Sequence, residues 1–181
     1  MRTDRSALWF RQLVLIASIL ALCVVGLGAY VRLSDAGLGC PDWPGCFGSM
    51  TVPQSEAAIQ HAQTVFPDKQ VEVHKAWKEM LHRYLAGTLG LLIFGVFLLG
   101  WHARKVIRVS PWLVTFLALL VVFQAALGMW TVTELLKPVI VSAHLLGGMS
   151  TLALLVWIAH RHWGSRSSRF RPAHRRWPAA V

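Results

Sequence analysis

Four long apolar segments alternate with polar stretches along the chain. Residues 13–31, 84–101 and 109–133 carry no charged side chain, and residues 139–157 contain a single ionisable one, His144. About 20 apolar residues are enough for a helix to cross the roughly 30 Å hydrocarbon core of a membrane. The pattern therefore predicts an all-α integral membrane protein, a four-transmembrane-helix bundle with a long outer loop between helices 1 and 2.

The same pattern divides the chain into a bundle and a tail. The predicted spans are about 13–33, 80–101, 111–132 and 138–160. They belong to one transmembrane domain, residues 1–163. The later part of the long loop, from residue 54 to 63 and from residue 69 to 79, has few helix breakers except Pro67. It predicts a short surface helix and then the entry to helix 2. Residues 164–181 are polar and basic, which predicts a disordered cytoplasmic tail.

Composition and charge support a membrane location and give its orientation. The chain is 55% hydrophobic and only 14% charged, whereas about a quarter of a typical soluble domain is charged. With the N-terminus inside, twelve of the 18 Lys and Arg residues lie on inside segments, and one of the eight acidic residues does. The positive-inside rule then predicts that both termini are cytoplasmic and that the long loop lies outside. We expect the membrane to be a bacterial inner membrane, in which case the loop is periplasmic. The net charge of +10 indicates contact with membrane lipid and argues against nucleic acid.

Two histidines are placed near the outer ends of spans 2 and 4. His82 and His144 are each followed, one turn along the same face, by small residues at 86–87 and 147–148. Two imidazoles on facing helices are a common way to hold haem iron. The alternative is that each histidine hydrogen-bonds a neighbouring helix. The matched depth and the small neighbours favour haem.

Glu79 lies three residues before His82 on the same helix face. A carboxylate there could accept a proton or stabilise developing positive charge beside a haem. The alternative is an ion-pair ladder of Lys75, Glu79 and Arg83, which are spaced four residues apart. Spacing alone favours the ladder.

Two other polar residues occur at the edges of or inside predicted spans. Arg32 ends span 1 on the outer face, where it could pair with Asp35 or Glu79 or bind a haem propionate. Gln124 is in the middle of span 3 and is predicted to hydrogen-bond another helix.

Cys40 and Cys46 belong to the stretch GCPDWPGC, residues 39–46, in the outer loop. The prolines and glycines preset turns that would bring the two cysteines together, and the periplasm favours oxidised cysteines. A structural disulfide is therefore the first interpretation and a redox-active pair the second. Zinc binding is the third, because only His61 and His74 could complete the ligand set.

Three motifs resemble the haem A synthase family of the CtaA type. They are GAYVRLSDAGLGCPDWPGCFG at 28–48, EMLHRYLAGTLG at 79–90, and FQAALGMWTVTELLKPVIVSAHLLGG at 123–148. The match extends over nearly the whole of residues 13–163. The resemblance implies a membrane enzyme that oxidises the C8 methyl of haem O to a formyl group, giving haem A for cytochrome oxidase.

The resemblance also implies roles for individual residues. His82 and His144 match the histidines of the amino-terminal haem site, so both are predicted to ligate haem iron. Glu79 matches the acidic residue associated with the oxidation, which reverses the preference for a ladder. Cys40 and Cys46 match the outer-loop cysteine pair. We further expect two arginines to bind the cofactor, Arg32 and Arg83.

The common form of that family has eight helices in two similar halves, and this chain has four. Either the chain is a half-size member that must self-associate as a homo-oligomer, or it is a truncated product that lacks its carboxy-terminal half. A haem b in the site is also compatible with the histidines. The expected partners are haem O, a haem O synthase and cytochrome oxidase assembly factors.

Two alternative functions share parts of this pattern. A non-catalytic haem b-binding or electron-transfer protein would need the histidines but not Glu79. A disulfide-generating quinone oxidoreductase would need closely spaced cysteines and usually a second pair, whereas Cys40 and Cys46 are separated by five residues.

Overall fold

The computed structural model describes residues 2–107 and 109–164, and the predicted tail from residue 165 lies outside the described residues. The described part of the chain is helical, with no strand. The helices are α1 (Arg2–Leu33), α2 (Glu56–Val65), α3 (Val73–His102), α4 (Arg104–Ile107), α5 (Pro111–Thr133) and α6 (Pro138–Gly164).

Four of these helices are long and apolar enough to cross a membrane, which confirms the predicted four-helix membrane bundle. The spanning segments are Arg5–Leu33, Val73–His102, Pro111–Thr133 and Pro138–His162. Proline at the first position of α5 and of α6 suits a helix start, because proline has no N–H to leave unsatisfied there. The segment 34–72 contains α2, where the hydroxyl of Ser55 accepts a hydrogen bond from the N–H of Ala58 at 3.2 Å.

The four long helices pack in a ring. Helix α1 packs against α3 and α6, and α5 packs against the same two helices. Helices α3 and α6 therefore face each other across the bundle, as do α1 and α5. We call the end of the bundle at residues 34–72 and 134–137 the loop end. The opposite end, at residues 103–110, is the basic end.

Two apolar clusters leave a level of small and polar residues between them. The larger cluster fills the bundle toward the basic end; its fully buried side chains include Phe10, Val14, Ile93, Val96, Val114, Leu117, Leu155 and Ile158. The smaller cluster lies at the loop end and consists of Cys40, Cys46, Phe47, Val52, Ala62, Ala76 and Met80. His82 and His144 lie on the stretches of α3 and α6 between these clusters.

The cysteine-containing loop is docked closely on α3. A Cβ added to Gly39 would lie 2.7 Å from the carbonyl carbon of Lys75, so only glycine fits this approach. Within the loop, the carboxylate of Asp42 accepts hydrogen bonds from the N–H of Phe47 at 2.6 Å and of Gly48 at 2.8 Å. Gly48 has φ of +76°, a conformation that glycine adopts without strain. The loop is thus an ordered structure fixed to the loop end of α3.

Candidate functional site

The structure brings the two predicted haem-ligating histidines together from helices on opposite sides of the ring. His82 is on α3 and His144 is on α6, and the two imidazoles are near enough to interact electrostatically. The Nδ1 atom of each ring is buried and, in residues 2–107 and 109–164, has no partner at full hydrogen-bond distance and angle. A backbone carbonyl nonetheless faces each ring, and such a carbonyl is the usual partner of the second nitrogen of a histidine that ligates a metal.

Each histidine ring packs on a glycine of the neighbouring helix. A Cβ added to Gly28 on α1 would lie 3.0 Å from Cε1 of His82. A Cβ added to Gly128 on α5 would lie 3.5 Å from Cε1 of His144. Both glycines belong to the last two turns of their helices, so the histidines lie at a similar depth.

Backbone carbonyls are also placed equivalently around the two histidines. The carbonyl of Val24, one turn before Gly28, faces the His82 ring, and the carbonyl of Gln124, one turn before Gly128, faces the His144 ring. Helices α1 and α3 therefore form one hairpin-like pair, and α5 and α6 form another. We call the contact of His82 with Gly28 and the contact of His144 with Gly128 the two glycine seats, and they occupy equivalent positions in the two pairs.

Because the two seats differ in clearance, matched alanine substitutions should separate them. Gly28→Ala should displace the His82 ring and weaken haem retention about tenfold or more, since an added methyl group at 3.0 Å overpacks the seat. Gly128→Ala should be tolerated, because 3.5 Å is ordinary van der Waals contact. Haem content per chain after purification measures both; equal loss in the two variants would contradict the seat geometry.

Glu79 is buried, with 5% of its surface exposed, and both of its oxygens are engaged. Oε2 accepts a hydrogen bond from the backbone N–H of Cys40 at 2.9 Å, and Oε1 forms an ion pair with Arg83. The ladder considered from spacing is therefore half formed, because Lys75 pairs instead with Glu72 at 2.9 Å. Glu79 thus ties the cysteine loop to α3 one turn from His82.

Arg83 completes this attachment. Its guanidinium donates hydrogen bonds to the carbonyls of Asp42 at 2.8 Å, Pro44 at 3.4 Å and Gly45. The side chain that was expected to bind the cofactor is thus occupied by Glu79 and by three loop carbonyls. No sequence pattern indicated this contact, because the partners are backbone atoms about forty residues earlier in the chain.

Cys40 and Cys46 are held together inside the loop. Their Sγ atoms lie within disulfide distance of each other, and both residues are fully buried. Cys23, by contrast, is exposed on α1. In the described ranges, no group of three or more His, Cys, Asp or Glu side chains could hold a bare metal ion, so the zinc alternative has no ligand set there.

Two cations flank the histidines on the side of the loop end. Arg32 is exposed one turn beyond Gly28, and within the described part of the chain it joins no ion pair with Asp35 or Glu79. The Nζ atom of Lys78, one turn before His82, lies 4.9 Å from the ring centroid of Tyr30. We did not predict a role for Lys78 from the sequence, although its spacing of four residues from His82 indicates that the two side chains share a helix face.

Gln124 differs from its prediction. It was expected to hydrogen-bond another helix, yet its Nε2 is buried without a partner among the described residues. Its amide lies against Gly147 of α6, where an added Cβ would be 1.8 Å from Nε2.

The arrangement fits a haem better than a bare metal ion. A haem provides four iron ligands itself and takes up to two from the protein, which matches two opposed imidazoles. The glycines beneath the two rings and the backbone carbonyls that face those rings are consistent with such a site.

Comparisons with known proteins agree with this geometry. The model of the COX15-CtaA family, described as cytochrome oxidase assembly protein, matches residues 11–181. A "Heme A synthase" of Shewanella oneidensis is 51% identical over 148 residues, which cover 82% of this chain and 43% of the relative. A "Heme A synthase" of Caulobacter vibrioides is 30% identical over 202 residues, covering 99% of this chain and 57% of the relative. No solved structure matches the chain.

The chain spans about half the length of the curated relatives it matches. The family match extends through all four spanning helices, both histidines and the cysteine loop. With its four apolar helices it is a membrane protein. The chain belongs to the COX15-CtaA family of cytochrome oxidase assembly proteins.

Proposed function

We propose that this chain forms the haem-oxidising site of a haem A synthase, in which the C8 methyl of haem O becomes the formyl group of haem A. The conversion removes four electrons, which an external acceptor must take up, and it adds one oxygen atom from water or dioxygen. One observation carries the proposal: His82 and His144 face each other from opposite helices at matching glycine seats. The relatives named "Heme A synthase" support the reaction class.

His82 and His144 would hold the iron of the haem. The bound haem supplies the redox-active iron and the methyl group that is oxidised. The two glycine seats fix the ring positions, because Gly28 and Gly128 leave no side chain between histidine and helix.

Arg32 is proposed to bind a propionate of the substrate. It is exposed, it has no ion-pair partner in the ranges described, and guanidinium suits carboxylates. Lys78 offers a second cation on the same side. The methyl to be oxidised shares a pyrrole ring with one propionate, so a propionate bound at Arg32 would put that methyl on the side of the site where Glu79 lies.

Glu79 is proposed to act in the oxidation as well as in the loop attachment. Its carboxylate lies one turn from His82 and is fixed by Cys40 and Arg83. A fixed carboxylate can accept a proton or stabilise positive charge that develops beside it. We assign Arg83 to holding the loop rather than to binding the cofactor, because its two terminal nitrogens are engaged by the loop carbonyls and by Glu79.

The cysteine loop is proposed to form a disulfide-pinned lid at the mouth of the site, with Trp43 as its exposed contact. In the proposed topology the loop is periplasmic, the termini are cytoplasmic, and the membrane is the bacterial inner membrane. The proposed partners are a haem O synthase, which supplies the substrate, and cytochrome oxidase assembly factors, which receive haem A. A second four-helix half or a second copy would complete the family's usual size.

The test is product analysis in a host that makes haem O. Cells expressing the chain should contain haem A on chromatography of extracted haems, whereas Glu79→Gln should lower haem A about a hundredfold while retaining bound haem. Normal haem A from Glu79→Gln would contradict the catalytic assignment. Bound haem that is never oxidised in the parent chain would instead favour the non-catalytic haem-binding alternative.

A further inference from the structure

The buried amide of Gln124 is the strongest feature of the interior that the proposed function does not use. Its Nε2 is inaccessible and has no hydrogen-bond partner in residues 2–107 and 109–164. An unpaired amide in a membrane interior costs free energy, because neither water nor lipid can satisfy it. A residue of this kind is expected to have a partner when the site is in use.

The amide lies where α1, α5 and α6 meet. A Cβ on Gly147 would be 1.8 Å from its Nε2, and a Cβ on Gly148 would be 3.9 Å from its Oε1 and 3.8 Å from Val25. The absence of side chains at Gly147 and Gly148 thus leaves the space that the amide occupies. The amide is enclosed at this junction, and it belongs to the residue whose backbone carbonyl faces the His144 ring.

Its depth relative to the histidines is defined by helix register. Gln124 is one turn before Gly128 on α5, and Gly147 is about one turn beyond His144 on α6. Both displacements are toward the basic end, by about 5 Å per turn. Arg32 is displaced by one turn in the opposite direction. The site therefore has a cation on one side of the histidine level and an uncharged donor on the other.

We propose that Gln124 recognises the hydroxyl group that distinguishes haem O from haem b, an inference that rests on the proposed function. In haem O a hydroxyalkyl isoprenoid chain replaces one vinyl group of haem b, on the macrocycle edge opposite the propionates. Propionates held at Arg32 place that edge toward the basic end, on the side of Gln124. The amide N–H then donates to the hydroxyl oxygen, and haem b offers no such acceptor.

The experiment is a spectral titration of the haem-free purified protein with haem O and, separately, with haem b. The parent chain should prefer haem O, and Gln124→Leu should reduce the ratio of the two affinities about fivefold, the effect of one hydrogen bond. Affinity for haem b should stay the same. Because the isoprenoid chain contributes equally in both proteins, the change in the ratio isolates the hydroxyl.

Ser150→Ala is the matched control, since that exposed hydroxyl on α6 donates to the carbonyl of Leu146 in its own helix at 2.8 Å. It should leave the ratio unchanged. The melting temperature of haem-free Gln124→Leu should equal or exceed that of the parent, because an unpartnered amide is removed.

An unchanged ratio in Gln124→Leu, or an equal loss of both haems, would overturn the proposal. Failure of the proposed function gives different results: no haem of either kind bound by the parent chain, or haem O bound but never oxidised in cells. In the second case the titration still decides whether Gln124 recognises the hydroxyl.

Discussion

Arg83→Met should destabilise the protein by about 3–5 kcal/mol, the cost of leaving one partner of a buried ion pair alone. The side chains of Arg83 and Glu79 are only 11% and 6% exposed. The substitution also removes the donors to Asp42, Pro44 and Gly45. Thermal unfolding in detergent measures the loss, and faster reduction of the buried Cys40–Cys46 pair by a water-soluble phosphine reports the freed loop.

Lys137→Met is the matched control. Lys137 and Glu134 form an ion pair three residues apart, but their side chains are 66% and 41% exposed. Surface pairs of this kind contribute at most about 1 kcal/mol, so this variant should melt close to the parent. Equal melting temperatures for Arg83→Met and Lys137→Met would contradict the attachment of the loop through Arg83.

The melting temperature of Glu79→Gln should lie between the melting temperatures of Arg83→Met and Lys137→Met. The amide oxygen of glutamine can still accept the hydrogen bond from Cys40, and Arg83 keeps its loop carbonyls. A variant that stays folded is what makes the product analysis of Glu79→Gln interpretable, because a loss of haem A then reflects the oxidation itself.

Replacing either histidine with alanine has the second large expected effect. His82→Ala and His144→Ala should each lower haem affinity about a hundredfold or more, because an axial ligand contributes more than the supporting groups around it. The remaining histidine would leave the iron five-coordinate, so the optical spectrum of any retained haem should shift from low-spin to high-spin. Titration of the haem-free variants with haem b measures both quantities.

His61→Ala is the control for these variants. His61 is exposed on α2, away from the bundle interior, and its replacement should leave haem affinity unchanged. Full haem binding by the His82→Ala, His144→Ala double variant would show that the haem is held elsewhere.

Most of the bundle could be predicted from the apolar segments, because a membrane span has a fixed length and needs few charges. The predicted start of span 2 at residue 80 differs from α3, which begins at Val73. The first two turns of α3 carry polar residues that face the loop and the surface, so hydropathy alone could not extend the helix to Val73. An ion pair at the start of α3 is an example: Glu72 and Lys75 are charged and therefore lower the hydropathy of this segment, although their side chains pair at the beginning of the helix.

The candidate site was predictable only in part. The histidines stood out because ionisable residues within spans are costly. The loop attachment did not, since Arg83 binds backbone carbonyls that any residue type would present. The glycine seats were equally hidden: Gly28 and Gly26 look alike in sequence, but only Gly28 contacts a histidine ring. Which of the two glycines faces the histidine depends on the rotation of α1 about its own axis, and a segment that is apolar on all sides does not specify that rotation.

The central claim is that His82 and His144 hold one haem between them. The most direct measurement is the optical and electron paramagnetic resonance spectrum of the chain purified from haem-replete cells, with haem quantified as the pyridine haemochrome. We expect the purified chain to contain haem in a low-spin, six-coordinate state with two histidine ligands. We expect this low-spin state to be absent from both single-histidine variants. A purified chain without haem, or with a high-spin haem that survives both substitutions, would contradict it.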